Sequence, residues 1–141
     1  MESSFDVLDD AGVAFRRQFR GLVLSPGDEG YERARLVWNG MIDRHPALIA
    51  RCTSTDDVVA AVNFARENNL VLAVRSGGHN VAGYATCDSG LVIDLSPMKT
   101  VDVDPIARTV TAAAGCTWAD VDRATPRGRR HHRAGNLRRE V

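Results

Sequence analysis

Apolar residues recur along this chain at two spacings, and the places where one gives way to the other mark its elements. Over 5–20, Phe5, Leu8, Val13 and Phe15 are scattered contacts of a short helix that Gly12 weakens. Ser25-Pro26-Gly27-Asp28 is a turn. Over 31–42, Ala34, Val37, Trp38 and Met41 stand at helical spacing and predict a second helix, closed off by Pro46. Ala47-Leu48-Ile49-Ala50-Arg51-Cys52, apolar but for Arg51, has the length of a short buried strand. Ser54 with Asp57 forms a capping pattern, and Val58, Val62 and Ala65 line one face of the helix behind it. Asn68-Asn69 stops that helix before a strand at 71–75. Strand, helix and strand together take about thirty residues, the dimension of a βαβ unit.

A further strand is predicted at 91–95. Period-two alternation over 101–104 and 108–112, around Asp104-Pro105-Ile106-Ala107, predicts a β-hairpin. Gly115 ends its second arm, and Thr117-Trp118-Ala119-Asp120 opens a short helix with another capping pattern. No internal repeat is present. Strands and helices in this order predict an α+β fold.

Composition narrows the function classes. With 141 residues the chain fits one domain of ordinary size, and its formal net charge is zero. That balance points to neither nucleic acid nor a membrane surface. It is also a cancellation, because Arg127, Arg129, Arg130, Arg133, Arg138 and Arg139 face only Glu140 near the carboxyl end. Lys99 is the sole lysine, which reads as GC-rich coding. Cys52, Cys87 and Cys116 are odd in number and widely spaced, so neither a disulfide framework nor a zinc site is expected. No run reaches the length of a membrane helix, and the start of the chain lacks a leader pattern. A cytoplasmic protein with free thiols is expected.

Candidate chemistry sits at the carboxyl end of the strand 71–75. Arg75-Ser76-Gly77-Gly78-His79-Asn80 is followed by a second turn, Val81-Ala82-Gly83-Tyr84. Adjacent glycines admit positive φ and can turn several amide N–H groups toward one point, a concavity suited to pyrophosphate oxygens. Open α/β sheets hold ligands at that end of their strands. Taken by itself, His79 reads as an ordinary loop histidine, and Arg75 as a solvated charge ending the strand, a phosphate ligand or a buried polar group.

Six pieces then carry a resemblance: Trp38-Asn39-Gly40-Met41-Ile42; Arg44-His45-Pro46-Ala47; Ala60-Ala61-Val62 with Ala65-Arg66-Glu67-Asn68; Arg75 to Asn80; Asp94-Leu95-Ser96-Pro97-Met98-Lys99; and Ala114-Gly115-Cys116-Thr117-Trp118. In that order, over 31–125, the chain resembles the FAD-linked oxidases of the berberine bridge enzyme and 6-hydroxynicotine oxidase kind. Their cofactor domain is the type named after p-cresol methylhydroxylase (PCMH) and vanillyl-alcohol oxidase. The resemblance implies the amino-terminal part of a PCMH-type FAD-binding domain, with FAD as cofactor. Its site residues would be Arg75, Ser76, Gly77, Gly78, His79, Asn80 and Gly83, with the pyrophosphate on main-chain N–H groups of 76–80. It further implies a covalent bond from His79 to the flavin, for which a neutral imidazole nitrogen is a better nucleophile than amide or hydroxyl side chains. The implied reaction is oxidation of a small organic substrate, with hydride passing to flavin N5 and oxygen as acceptor. A catalytic base stays unassigned.

Blander roles are expected elsewhere. Trp38 and Trp118 read as core aromatics, His45 as structural, and Cys87 and Cys116 as ordinary thiols rather than a second flavin tether. His131-His132 project poorly for one metal, and a basic arm alone makes a poor case for nucleic acid. The organisation expected is a helical segment at 1–43, a partial PCMH-type domain at 44–125, and a basic tail at 126–141 that is disordered or frame-shifted. Codons such as ACG CCC CGG GGG CGT CGT CAC CAC CGG would encode 125–133. Removing one C yields Thr-Pro-Gly-Gly-Val-Val-Thr-Thr-Gly, which resembles the family's continuation. A one-base insertion and an inactive product are therefore expected, and the gene's nucleotide sequence is the check.

Overall fold

A computed structural model describes residues 6–125 and 137–138, with side chains for residues 10–125. The elements are α1 (Asp6–Gln18), β1 (Leu22–Leu24), α2 (Tyr31–Arg35), β2 (Leu48–Arg51), α3 (Thr55–Glu67), β3 (Leu72–Arg75), β4 (Leu91–Asp94), β5 (Val101–Asp104), β6 (Thr109–Ala112), α4 (Trp118–Ala124) and β7 (Leu137–Arg138). The expected α+β class holds. Phe5 and most of the basic tail lie outside the described residues.

Four strands form the main sheet in the order β1-β2-β4-β3. β2 and β3 both run parallel to β4, and β1 closes the sheet antiparallel to β2. The expected βαβ unit is present as β2-α3-β3, but β4 enters between its two strands. β4 is buried at every position, as a central parallel strand covered on both faces must be. On one face Leu48, Ala50, Leu91 and Ile93 pack with Phe15 and Phe19 of the amino-terminal region and Ala61, Phe64 and Ala65 of α3. The Phe15 and Phe64 rings stack at 4.3 Å. On the other face Ile49, Val92 and Ala73 pack with Leu24, Tyr31 and Cys87. β5 and β6 form the predicted hairpin, which begins a second sheet.

Several expectations are corrected. Leu22–Leu24, between the helix and the turn and not assigned an element from sequence, is a strand that edges the main sheet. α3 is capped by Ser54, whose side chain accepts the Asp57 N–H at 3.3 Å. Asp57 does not return the bond to Ser54; its carboxylate accepts from Thr53 N and Oγ1 at 2.9 and 2.7 Å. The buried face of α3 is Asp57, Ala61, Phe64 and Ala65, leaving Val62 exposed. At α4 the capping box is complete, Thr117 and Asp120 bonding reciprocally. Removing the Ser54 hydroxyl in Ser54→Ala is expected to lower stability by about 1 kcal/mol, read from a urea unfolding curve.

The helix predicted over 31–42 stops at Arg35. A continuing helix would give the Ala34 carbonyl to the Trp38 N–H. That carbonyl accepts from Arg75 instead, as does Leu36 O at 3.2 Å. Trp38 N–H turns to Gly78 O at 3.1 Å. Trp38 is 67% exposed and Trp118 56% exposed, so neither is a core aromatic.

Candidate functional site

Register assembles the floor of the site. Arg51, Asp94 and Arg75 are paired across β2, β4 and β3, so the carboxylate lies between two guanidinium groups at the carboxyl ends of the strands. Asp94 is 1% exposed. Its Oδ2 accepts from Arg75 Nη2 at 2.7 Å and Arg51 Nε at 3.2 Å, and its Oδ1 accepts from Ser96 N at 3.0 Å. Burial pushes its pKa up, but the Arg75 bond and charge together with Ser96 outweigh that and hold it below the usual carboxylate range.

From this floor the loop 76–80 rises. Ser76 Oγ donates to Ala114 O at 2.5 Å, joining the loop to the chain beyond the hairpin. Gly78 is buried with φ +70°, a conformation that turns successive peptides in a way L side chains resist. Among the described residues, the N–H groups of Gly77, Gly78, His79 and Asn80 have no acceptor. His79 and Asn80 are exposed at the lip. Asn80 shapes the next turn, accepting from Tyr84 N at 3.1 Å through Oδ1 and from Gly83 N at 3.1 Å through its carbonyl.

The predicted residues thus divide by task. Gly77 to Asn80 present free donors, Gly83 spends its own N–H closing a turn, and Arg75 directs its guanidinium inward. Gly83 has φ +78°, and a Cβ there would lie 2.9 Å from Ile42 Cγ2. Gly83→Ala is expected to cost about 1–2 kcal/mol from backbone strain alone, visible as a lower melting temperature.

Sequence reading overlooked Asp94 as part of the site and misjudged Trp38. The Trp38 and His79 ring centroids are 6.3 Å apart, with planes inclined at 39°. Met41, Val81 and Tyr84 are also exposed around the loop. The signal for Asp94 was a lone acid ending an apolar strand, which is ambiguous until register is known. Thr86 Oγ1 is buried without a hydrogen-bond partner among the described residues. Cys52, Cys87 and Cys116 are free. Burial pushes the Cys52 thiol up to about 12 and also raises Cys87, so neither is a ready thiolate nucleophile.

Unpaired amides beside a glycine with positive φ, at the carboxyl end of parallel strands, fit the oxygens of a dinucleotide pyrophosphate. The family model for the FAD binding domain matches residues 46–133, well over half the chain. This chain belongs to that family.

Among curated relatives of this FAD-binding domain, (R)-6-hydroxynicotine oxidase of Paenarthrobacter nicotinovorans is 39% identical over 102 residues, covering 72% of this chain and 22% of the relative. Among solved structures, 6-hydroxy-D-nicotine oxidase of Arthrobacter nicotinovorans matches at TM-score 0.60 and 44% identity, over 62% of this chain and 19% of that one. BBE-like 1 of Physcomitrella patens matches at TM-score 0.65 and 25% identity, over 70% and 22%. The chain spans about a fifth of the length of the curated relatives it matches. Those relatives include FAD-linked oxidoreductases, and FAD is the cofactor of the domain. No described helix is long and apolar enough to cross a membrane.

Proposed function

We propose that this domain holds FAD for oxidation of a small organic substrate, with the pyrophosphate on the loop N–H groups and the flavin tethered through His79. The carrying observation is the run of unpaired donors from Gly77 to Asn80, with the His79 ring exposed beside them. Ser76 fixes the loop through Ala114, and Gly83 shapes its far wall by closing the turn that begins at Asn80. Arg75 acts through the loop, since its guanidinium is engaged by Asp94 and two carbonyls. When bound, FAD would supply the redox chemistry, as a hydride acceptor at N5 with oxygen as the terminal acceptor. His79 offers an imidazole nitrogen for attachment, which would keep the cofactor from dissociating.

The proposed organisation is a leading segment at 1–43, a cofactor-holding unit at 44–125 and a basic tail at 126–141. Three free thiols favour a cytoplasmic setting. Acid precipitation of the expressed chain tests the attachment. A yellow, fluorescent pellet supports it, and a colourless pellet from chain that binds FAD rules out the tether.

A second reading is flavin binding without turnover, since the loop offers donors for a pyrophosphate while no catalytic base is assigned. It predicts FAD uptake with no oxygen consumption on any small substrate offered.

A further inference from the structure

We infer that Trp38 is a positioning residue for the cofactor loop, set in place by the Arg75–Asp94 pair. The inference rests on the FAD reading of that loop. An indole left 67% exposed beside a glycine turn contributes little to the core. It touches the loop in two ways: its main-chain N–H holds Gly78 O at 3.1 Å, and its ring flanks His79 at 6.3 Å. Carbonyl and N–H point in opposite directions across a trans peptide. Holding the Gly78 carbonyl toward 36–38 therefore turns the His79 N–H away from that segment, on the side open for an anion.

Nothing in the local sequence puts Trp38 there. Arg75 takes the carbonyls of Ala34 and Leu36, which ends α2 and leaves Leu36 extended, with ψ 141°. Only an extended chain from Leu36 brings the Trp38 amide to Gly78. Arg75 is in turn anchored by Asp94, whose remaining oxygen is fixed by Ser96 N. The buried carboxylate thus governs the loop at one remove, through Arg75 and the segment 34–38.

The test is a proton–carbon NMR spectrum of the full chain labelled at its histidine rings, with the His79 resonance assigned by its loss in His79→Gln. An indole ring current displaces a neighbouring imidazole signal. Trp38→Leu is expected to move the His79 resonance toward that of a free imidazole while His45 stays in place. Arg75→Lys, which keeps a cation opposite Asp94, is expected to move it the same way by a smaller amount, and Asp94→Asn likewise. A His79 resonance indifferent to Trp38→Leu overturns the inference, as does a response to Trp38→Leu alone in folded Arg75→Lys and Asp94→Asn chains. Because Trp38 is exposed, Trp38→Leu tests its contact with His79 even where the other two variants fail to fold. FAD titration of the same samples separates the readings. FAD uptake without the Trp38-dependent shift overturns this inference and leaves the FAD reading standing. The shift without FAD uptake supports the loop geometry and sinks the FAD reading.

Discussion

Asp94→Ala is expected to destabilise the fold by about 3–5 kcal/mol, because it leaves the Arg75 guanidinium as an uncompensated buried charge. A domain of this size has about 5–15 kcal/mol in total, so most of its margin would be lost. Asp94 is 1% exposed and Arg75 9% exposed, and water cannot replace either partner without opening the sheet. The damage should spread along the bonds described above: β4 loses its side-chain tie to β3, and the cation that gathers the carbonyls of segment 34–38 loses its anchor. Equilibrium urea unfolding measures the loss. The double substitution Arg75→Met with Asp94→Leu should recover part of it, since removing both charges also removes their desolvation cost. Recovery of stability should not recover the loop, because methionine cannot bond Ala34 O and Leu36 O.

The same pair fixes an acid limb. The folded pKa of Asp94 is depressed, so its contribution is present above the unfolded carboxyl value near ~3.9 and is lost as pH falls from there through the lower folded value. Asp57, held down by Thr53 and Ser54 against the opposing effect of burial, adds in the same direction. Thermal unfolding followed below pH ~4 should therefore show a steep loss in the parent chain. In Asp94→Asn the loss should be shallower, starting from a lower plateau.

His79→Ala should abolish acid-stable flavin attachment completely while changing stability by no more than about 0.5 kcal/mol, the range of exposed surface substitutions. The contrast follows from position. The His79 ring is exposed at the lip, whereas the loop's shape comes from Gly78, Ser76 and Asn80. FAD should still bind, because the proposed pyrophosphate contacts are main-chain N–H groups that the substitution leaves in place. Denatured protein from the variant should be colourless, with its flavin in the supernatant. A coloured pellet would move the tether to another residue.

Local chemistry was legible wherever neighbours in sequence are also neighbours in space. The Thr117–Asp120 box, the Ser54 cap, the β5–β6 hairpin and the glycine turn after β3 all depend on residues a few positions apart. The leading face of α3 was read one position off, since Val62 stands exposed while Asp57 and Phe64 are buried. Period alone cannot choose between adjacent faces when alanines populate both. Trp38 and Trp118 were taken for core because aromatic residues carry large apolar area, yet both lie at the surface around the hairpin and the loop.

By itself the sequence determined that a strand would end in a glycine turn with His79 at its lip, because backbone freedom and residue type are local properties. Tertiary structure alone decided what surrounds that turn. Inserting β4 between β2 and β3 brought Asp94 level with Arg75, across 19 positions of chain. Arg75 then took the carbonyls that a longer α2 needed, and Trp38 was released to the loop. A hydrogen bond or ion pair between distant residues depends on strand order and register, and no spacing along a single chain records either.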